Sequence, residues 1–81
     1  MNMPCRTRTV LIVGAGKQQV PGIAYAQARG WKVVASDRNP NAAGFRIADA
    51  QIIADGNDAD GILAQLQAGG NRPDVVLSFT E

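Results

Sequence analysis

The sequence predicts an α/β domain built on an open, parallel four-stranded sheet in the order 3-2-1-4, with helices on both faces. Three observations carry that prediction. Apolar, β-branched runs alternate with helical patterns at short spacing, which reads as β-α-β-α-β-α-β and calls for a parallel sheet. The first run, "TVLIVG" at 9–14, is continuously apolar and closed by glycine, as a strand buried on both faces reads. Right-handed crossovers then step the second and third strands outward on one side of the first. They return the fourth strand to the other side, with the last helix on the opposite face.

Each element has its own signals. "VPGIAYAQARG", 20–30, is helical: Pro21 is tolerated only in a first turn, Val20, Ile23, Ala24 and Ala28 supply small and apolar contacts, and Gly30 ends it. "WKVVASD", 31–37, is the second strand, with Trp31 placed to pack back on the end of that helix. "RNPNAAGFRIADA", 38–50, begins as a turn and carries at most a short helix, because Asn39-Pro40 disfavours αR and Gly44 weakens any helix around it. "QIIA", 51–54, is a short third strand bounded by Asp55-Gly56. Asn57 is the expected cap of the second clear helix, with Asp58 and Asp60 complementing its dipole and Ala59, Ile62, Leu63 and Leu66 on one face. Gly69-Gly70 stops it, and "DVVLSFTE", 74–81, is the fourth strand. Residues 1–8 read as a flexible N-terminal segment and 9–81 as one domain, without internal repeat or low-complexity linker.

Composition narrows the function. A chain of 81 residues with 46% hydrophobic and 19% charged residues is that of an ordinary globular domain with a small core. The net charge of +1 and the scattered Lys and Arg give no field for nucleic acid. Cys5 stands alone and there is no His, so an internal disulfide, the common zinc sites and a His-based nucleophile have no residues to build them. Cys5 is then a bystander. "MNMPCRTRT" lacks an apolar signal core and no later run approaches membrane-spanning length, which leads to a cytoplasmic expectation without membrane contact.

The chemistry-bearing stretch is "GAGKQQVPG" at 14–22. Gly14 allows a sharp turn, Gly16 allows close approach of a ligand to the backbone, and free N–H groups at the helix start attract an anion. A dinucleotide fingerprint needs a third glycine where Gln19 stands; Gly22, one turn later, is the remaining candidate for close helix packing. A P-loop fails too, since Lys17 directly follows Gly16 and precedes Gln rather than Ser or Thr. Lys17, Gln18 and Gln19 are candidates for orienting an anionic or polar substrate, or else are solvated or tie the loop down. Asp37, 23 residues beyond Gly14, sits where a ribose-binding acid would, and is equally an ordinary turn residue before Arg38-Asn39-Pro40. In a 3-2-1-4 sheet the switch point lies between strands one and four. The glycine turn and Ser78 to Glu81 are therefore expected to face each other there, which makes Glu81 a candidate ligand.

With the strand into "GAGKQQ", "SDRNPNA", the Ala48-Asp49 pair and the final "LSFTE" in this order, the chain from Thr9 onward resembles the N-terminal, pre-ATP-grasp domain of ATP-grasp ligases. That family includes the carbamoyl phosphate synthase large chain, biotin carboxylase and phosphoribosylglycinamide-processing enzymes. The resemblance implies a Rossmann-like domain on the substrate side of a carboxylate-amine ligase, not catalytic by itself. ATP and magnesium would be bound by further ATP-grasp domains absent here and not by this chain alone. By motif position it also implies Gly14, Gly16, Lys17, Gln18 and Glu81 as substrate-binding residues, with no catalytic residue and no metal ligand. Lys17 departs from the acidic residue of the phosphoribosylglycinamide enzymes, and Gln19 from the glycine of several members. Two other readings stand beside this one. The chain would be a small module for NAD or an adenine nucleotide with Asp37 on the ribose, or an assembly element forming a homodimer through an exposed fourth strand carrying Val75, Val76, Leu77 and Phe79.

Overall fold

The structure, a computed structural model, describes residues 8–78. Strands β1 (Thr9–Val13), β2 (Lys32–Asp37), β3 (Ala50–Ile53) and β4 (Val75–Ser78) form one sheet in the order β3-β2-β1-β4. All three pairings are parallel, as expected from the alternating pattern. The register sets Val13 beside Ser36 on one side and Ser78 on the other, so β1 and β4 end together.

Helix α1 (Val20–Ala28) and helix α2 (Ala59–Ala68) cover opposite faces. Successive β1 side chains alternate between them. Val10 and Ile12 pack with Val33, Ala35 and the α1 residues Ile23 and Ala26, whereas Leu11 packs with Val34, Ile52 and the α2 residues Ile62 and Leu66. Each fully buried Ile or Leu contributes about 1.5–3 kcal/mol, so these two thin layers supply most of the driving force. The segment between β2 and β3 forms only a 3-10 turn (Ala43–Arg46), in line with the expected short helix.

Both helices end in the same way. The N–H groups of Gly30 and Trp31 donate to the carbonyls of Gln27 and Ala26, and those of Gly70 and Asn71 to Gln67 and Leu66. Gly30 and Gly70 hold φ of 84° and 72°, which glycine adopts without a Cβ penalty.

Three local expectations are corrected. The cap of α2 is Asp58, whose Oδ1 accepts the Gly61 N–H at 3.0 Å, and not Asn57. The Asn57 N–H is turned to Asp55 Oδ1 at 2.9 Å, so the turn begun at Asp55 claims Asn57 and passes the cap to the next residue. On α2 only Ile62 and Leu66 are buried, while Ala59 and Leu63 are exposed, because the stripe facing the sheet is narrower than the apolar pattern. On α1 the buried residues are Ile23 and Ala26 rather than Ala24 and Ala28. With almost every α1 residue small or apolar, periodicity does not select a face.

Candidate functional site

The glycine turn follows β1 at the carboxyl edge of the sheet. Gly14 has φ of 101°, and its N–H donates to the Ser36 carbonyl at 2.7 Å, continuing the β1–β2 ladder by one step. That conformation turns the chain out of the sheet at a cost only glycine avoids. The next N–H, of Ala15, donates to Asp37 Oδ2 at 2.9 Å. Asp37 Oδ1 accepts the Asn39 N–H at 2.9 Å, and Asn39 Oδ1 in turn accepts the Asn41 N–H at 2.9 Å. Asp37 thus joins the turn after β1 to the turn after β2, with one oxygen committed to each.

A third contact closes the grip. The Gly44 N–H donates to the Ala15 carbonyl at 2.7 Å, and a Cβ on Gly44 would lie 2.8 Å from that oxygen and 2.7 Å from Ile23 Cδ1. Close packing beside the glycine turn therefore falls to Gly44, from a different loop. Gly22, the sequence candidate for closeness, is exposed, and apart from its chain neighbours and its own helix backbone nothing lies within 4 Å of where its Cβ would stand.

Beyond Ala15 the chain opens to solvent. Gly16 is extended at φ −70° and ψ −179°, a 3-10 turn covers Lys17–Gln19, and α1 begins at Val20 with Pro21 in its first turn. Lys17 and Gln18 are exposed. The N–H groups of Gly16, Lys17 and Gln18 find no acceptor among the described residues. Gln19 is half-buried and folds back, with its Oε1 3.1 Å from the position of a Gly16 Cβ. The site therefore presents three N–H donors without an acceptor among the described residues, one ammonium and one amide around a fixed bend, an arrangement suited to an anionic or polar group.

Of the predicted site residues, the structure brings Gly14, Gly16, Lys17 and Gln18 together on one rim, with Asp37 directly beneath. Ser78 of β4 reaches the same rim as the partner of Val13. Glu81 lies outside the described residues. Among the described residues no group of three or more His, Cys, Asp or Glu is placed to hold a metal, and no helix is long and apolar enough to cross a membrane.

Two positioning residues escape sequence reasoning. Gly44 looks like a helix weakener, and only its distance to Ala15 reveals its use. Asp49 Oδ2 accepts the Val33 N–H at 2.8 Å and reaches Gln27 Nε2 at 3.3 Å, tying the start of β3 to β2 and α1. The Gln27 amide also donates to the Ile47 carbonyl.

No protein-family model matches the chain. The formate-dependent phosphoribosylglycinamide formyltransferase of Synechococcus sp. (strain CC9605) is 33% identical over 79 residues, covering 98% of this chain and 20% of that enzyme. Among solved structures, N5-carboxyaminoimidazole ribonucleotide synthetase from Thermotoga maritima superposes with a TM-score of 0.77 at 23% identity, over 91% of this chain and 19% of that one. Glycinamide-RNase-transformylase T from Mycobacterium tuberculosis gives 0.77 at 26% identity, over 90% and 20% of the two chains. An ADP complex of N5-carboxyaminoimidazole ribonucleotide synthetase gives 0.75 at 25% identity, over 90% and 18%. The chain thus spans about a fifth of the length of the proteins it matches. In sequence and in fold, it matches the N-terminal, pre-ATP-grasp domain of the ATP-grasp ligases.

Proposed function

We propose that this chain is the substrate-side N-terminal domain of a cytoplasmic, ATP-dependent carboxylate-amine ligase. Gly14, Gly16, Lys17, Gln18 and Glu81 frame the anionic or polar end of the acceptor. The observation that carries this reading is the bend itself: three N–H groups without an acceptor among the described residues, beside the exposed side chains of Lys17 and Gln18, where β1 ends next to β4. The similar enzymes are named for phosphoribosyl or ribonucleotide compounds, and a sugar phosphate is the kind of group such a bend holds. Its part in the reaction is to hold and orient the acceptor, which contributes through proximity.

This reading assigns ATP and magnesium to parts of the intact enzyme other than the described residues. The loop is no P-loop, and no acidic cluster among the described residues is placed to take a metal. Both belong, in this proposal, to further ATP-grasp domains. Activation of a carboxylate takes place there.

Isothermal calorimetry of the 81-residue chain with ribose 5-phosphate and with phosphoribosylglycinamide tests the reading. Binding is expected, and Lys17→Ala and Glu81→Ala are each expected to weaken it about tenfold, the size of one charge-assisted hydrogen bond. Unchanged affinity in both variants, or tight binding of NADH in place of the sugar phosphates, contradicts it. Self-pairing through β4 is a second reading. It is favoured by Val76 and Leu77, which remain 58% and 42% exposed on an edge strand. Light scattering over a dilution series decides it, and a monomer at every concentration rules it out.

A further inference from the structure

The sequence holds two Asp-Gly pairs, Asp55-Gly56 and Asp60-Gly61, and the fold puts them in opposite circumstances. Asp60-Gly61 lies inside the first turn of α2, where the Gly61 N–H donates to the capping Asp58 Oδ1 at 3.0 Å. Asp55-Gly56 lies in the turn between β3 and α2, exposed, and the Gly56 N–H has no acceptor among the described residues. There the Asp55 Oδ1 accepts the Asn57 N–H at 2.9 Å, and the Asp55 carbonyl accepts the Asp58 N–H at 2.9 Å. The first of these bonds closes a ring that contains both Asp55 Cγ and the Gly56 nitrogen, so it holds the carboxyl folded back beside that nitrogen. It also sets a donor on the oxygen where negative charge gathers when Cγ is attacked. Gly56 has no Cβ to shield its nitrogen.

We propose that Asp55 is a site of spontaneous backbone modification, converting through a cyclic imide to isoaspartate, and that Asp60 is not. The Gly56 nitrogen bonds to Asp55 Cγ and gives up its proton. Oδ2 of the protonated carboxyl leaves with that proton as water, and Oδ1 stays as an imide carbonyl. Water then adds to one of the two imide carbonyls. Cleavage of the bond from the nitrogen to Cγ restores Asp55; cleavage of its bond to the Asp55 backbone carbonyl carbon leaves the chain running through Cγ, one methylene longer. No oxidant, cofactor or further domain takes part, so the inference stands apart from the ligase reading. At Asp60 the same ring needs a backbone rotation out of the helical range of ψ, and it takes from Gly61 the N–H held by Asp58. In the isoaspartate form the two contacts from Asp55 to Asn57 and Asp58 lose their spacing, and the start of α2 loses that anchor.

The test ages the 81-residue chain at neutral pH, in buffer and in parallel in denaturing urea, then cuts it with a protease that cleaves before aspartate but not before isoaspartate. Cleavage before Asp49 and Asp74, neither followed by glycine, is the reference. In buffer, cleavage is expected to be lost at Asp55 about tenfold faster than at Asp60, since the latter must first open a capped turn. In urea the two rates are expected to converge. Gly56→Ala is expected to remove most of the loss at Asp55 with the fold intact, because Gly56 has no left-handed φ and its Cβ would meet only Val13 Cγ1, at 3.4 Å. Equal rates in buffer, full protection of Asp55 there, a difference that persists in urea, or an Asp55 rate untouched by Gly56→Ala overturns the proposal.

Discussion

Asp37 shows how one residue serves sequence reasoning twice over. Its position beyond Gly14 suits a ribose ligand and its neighbours suit a turn. In the structure both carboxylate oxygens hold backbone N–H groups, Ala15 at 2.9 Å and Asn39 at 2.9 Å. Removing that acceptor leaves a part-buried donor unpaired, so Asp37→Ala is expected to lower stability by about 1–3 kcal/mol. Urea unfolding measures it: a lower midpoint at unchanged slope is expected, and an unmoved midpoint excludes a structural role. Gly44 carries the complementary steric argument. A methyl there meets the Ala15 carbonyl and Ile23, both in the packed interior, so Gly44→Ala is expected to cost about 1–3 kcal/mol by the same assay. A neutral or stabilising Gly44→Ala would show that the two loops are free to separate. The Asp37–Asn39 contact belongs to the turn read from sequence, but neither Asp37–Ala15 nor Gly44–Ala15 was legible there, since both join residues more than twenty positions apart and no pattern of residue types encodes a distance.

At the scale of single elements, the carboxyl ends of the helices were readable, whereas the start of α2 was not and the helix faces were so only in part: Ile23, Ile62 and Leu66 are buried as expected, Ala24, Ala28, Ala59 and Leu63 are not. Gly30 and Gly70 close their helices through a left-handed residue, a signal carried by residue type alone. Asn57 was the expected cap of α2, and the shift to Asp58 depends on the turn at Asp55 having already used the Asn57 N–H. The structure makes a sharp distinction there. Asp58→Ala is expected to cost about 0.5–2 kcal/mol and Asn57→Ala less than about 0.5 kcal/mol, measured by thermal or chemical unfolding. Equal losses would mean that the cap is shared. Faces depend on the surface lying opposite. Leu63 belongs to the apolar pattern of α2 yet is half exposed, because no described element lies across from it. In α1 Ile23 is buried as the sequence suggests, but the near-uniform small and apolar composition left Ala26 to be selected by packing alone.

For the molecule as a whole, topology came from very little. Alternating strands and helices, short connections and the right-handed crossover rule were sufficient for the order 3-2-1-4 and for helices on opposite faces. The same order brings the ends of β1 and β4 together and so creates the rim on which Gly16, Lys17 and Gln18 stand. How that rim is braced, by Asp37 from β2 and Gly44 from the loop after it, required coordinates. Function, on the reading proposed, depends on this braced bend taking the anionic end of a substrate. The most direct measurement is a titration of the 15N-labelled 81-residue chain with ribose 5-phosphate, followed by two-dimensional NMR. The largest amide shifts are predicted at Gly16, Lys17 and Gln18, with Ser78 responding beside them; shifts concentrated between α2 and β4, or none at the bend under saturating ligand, would contradict it.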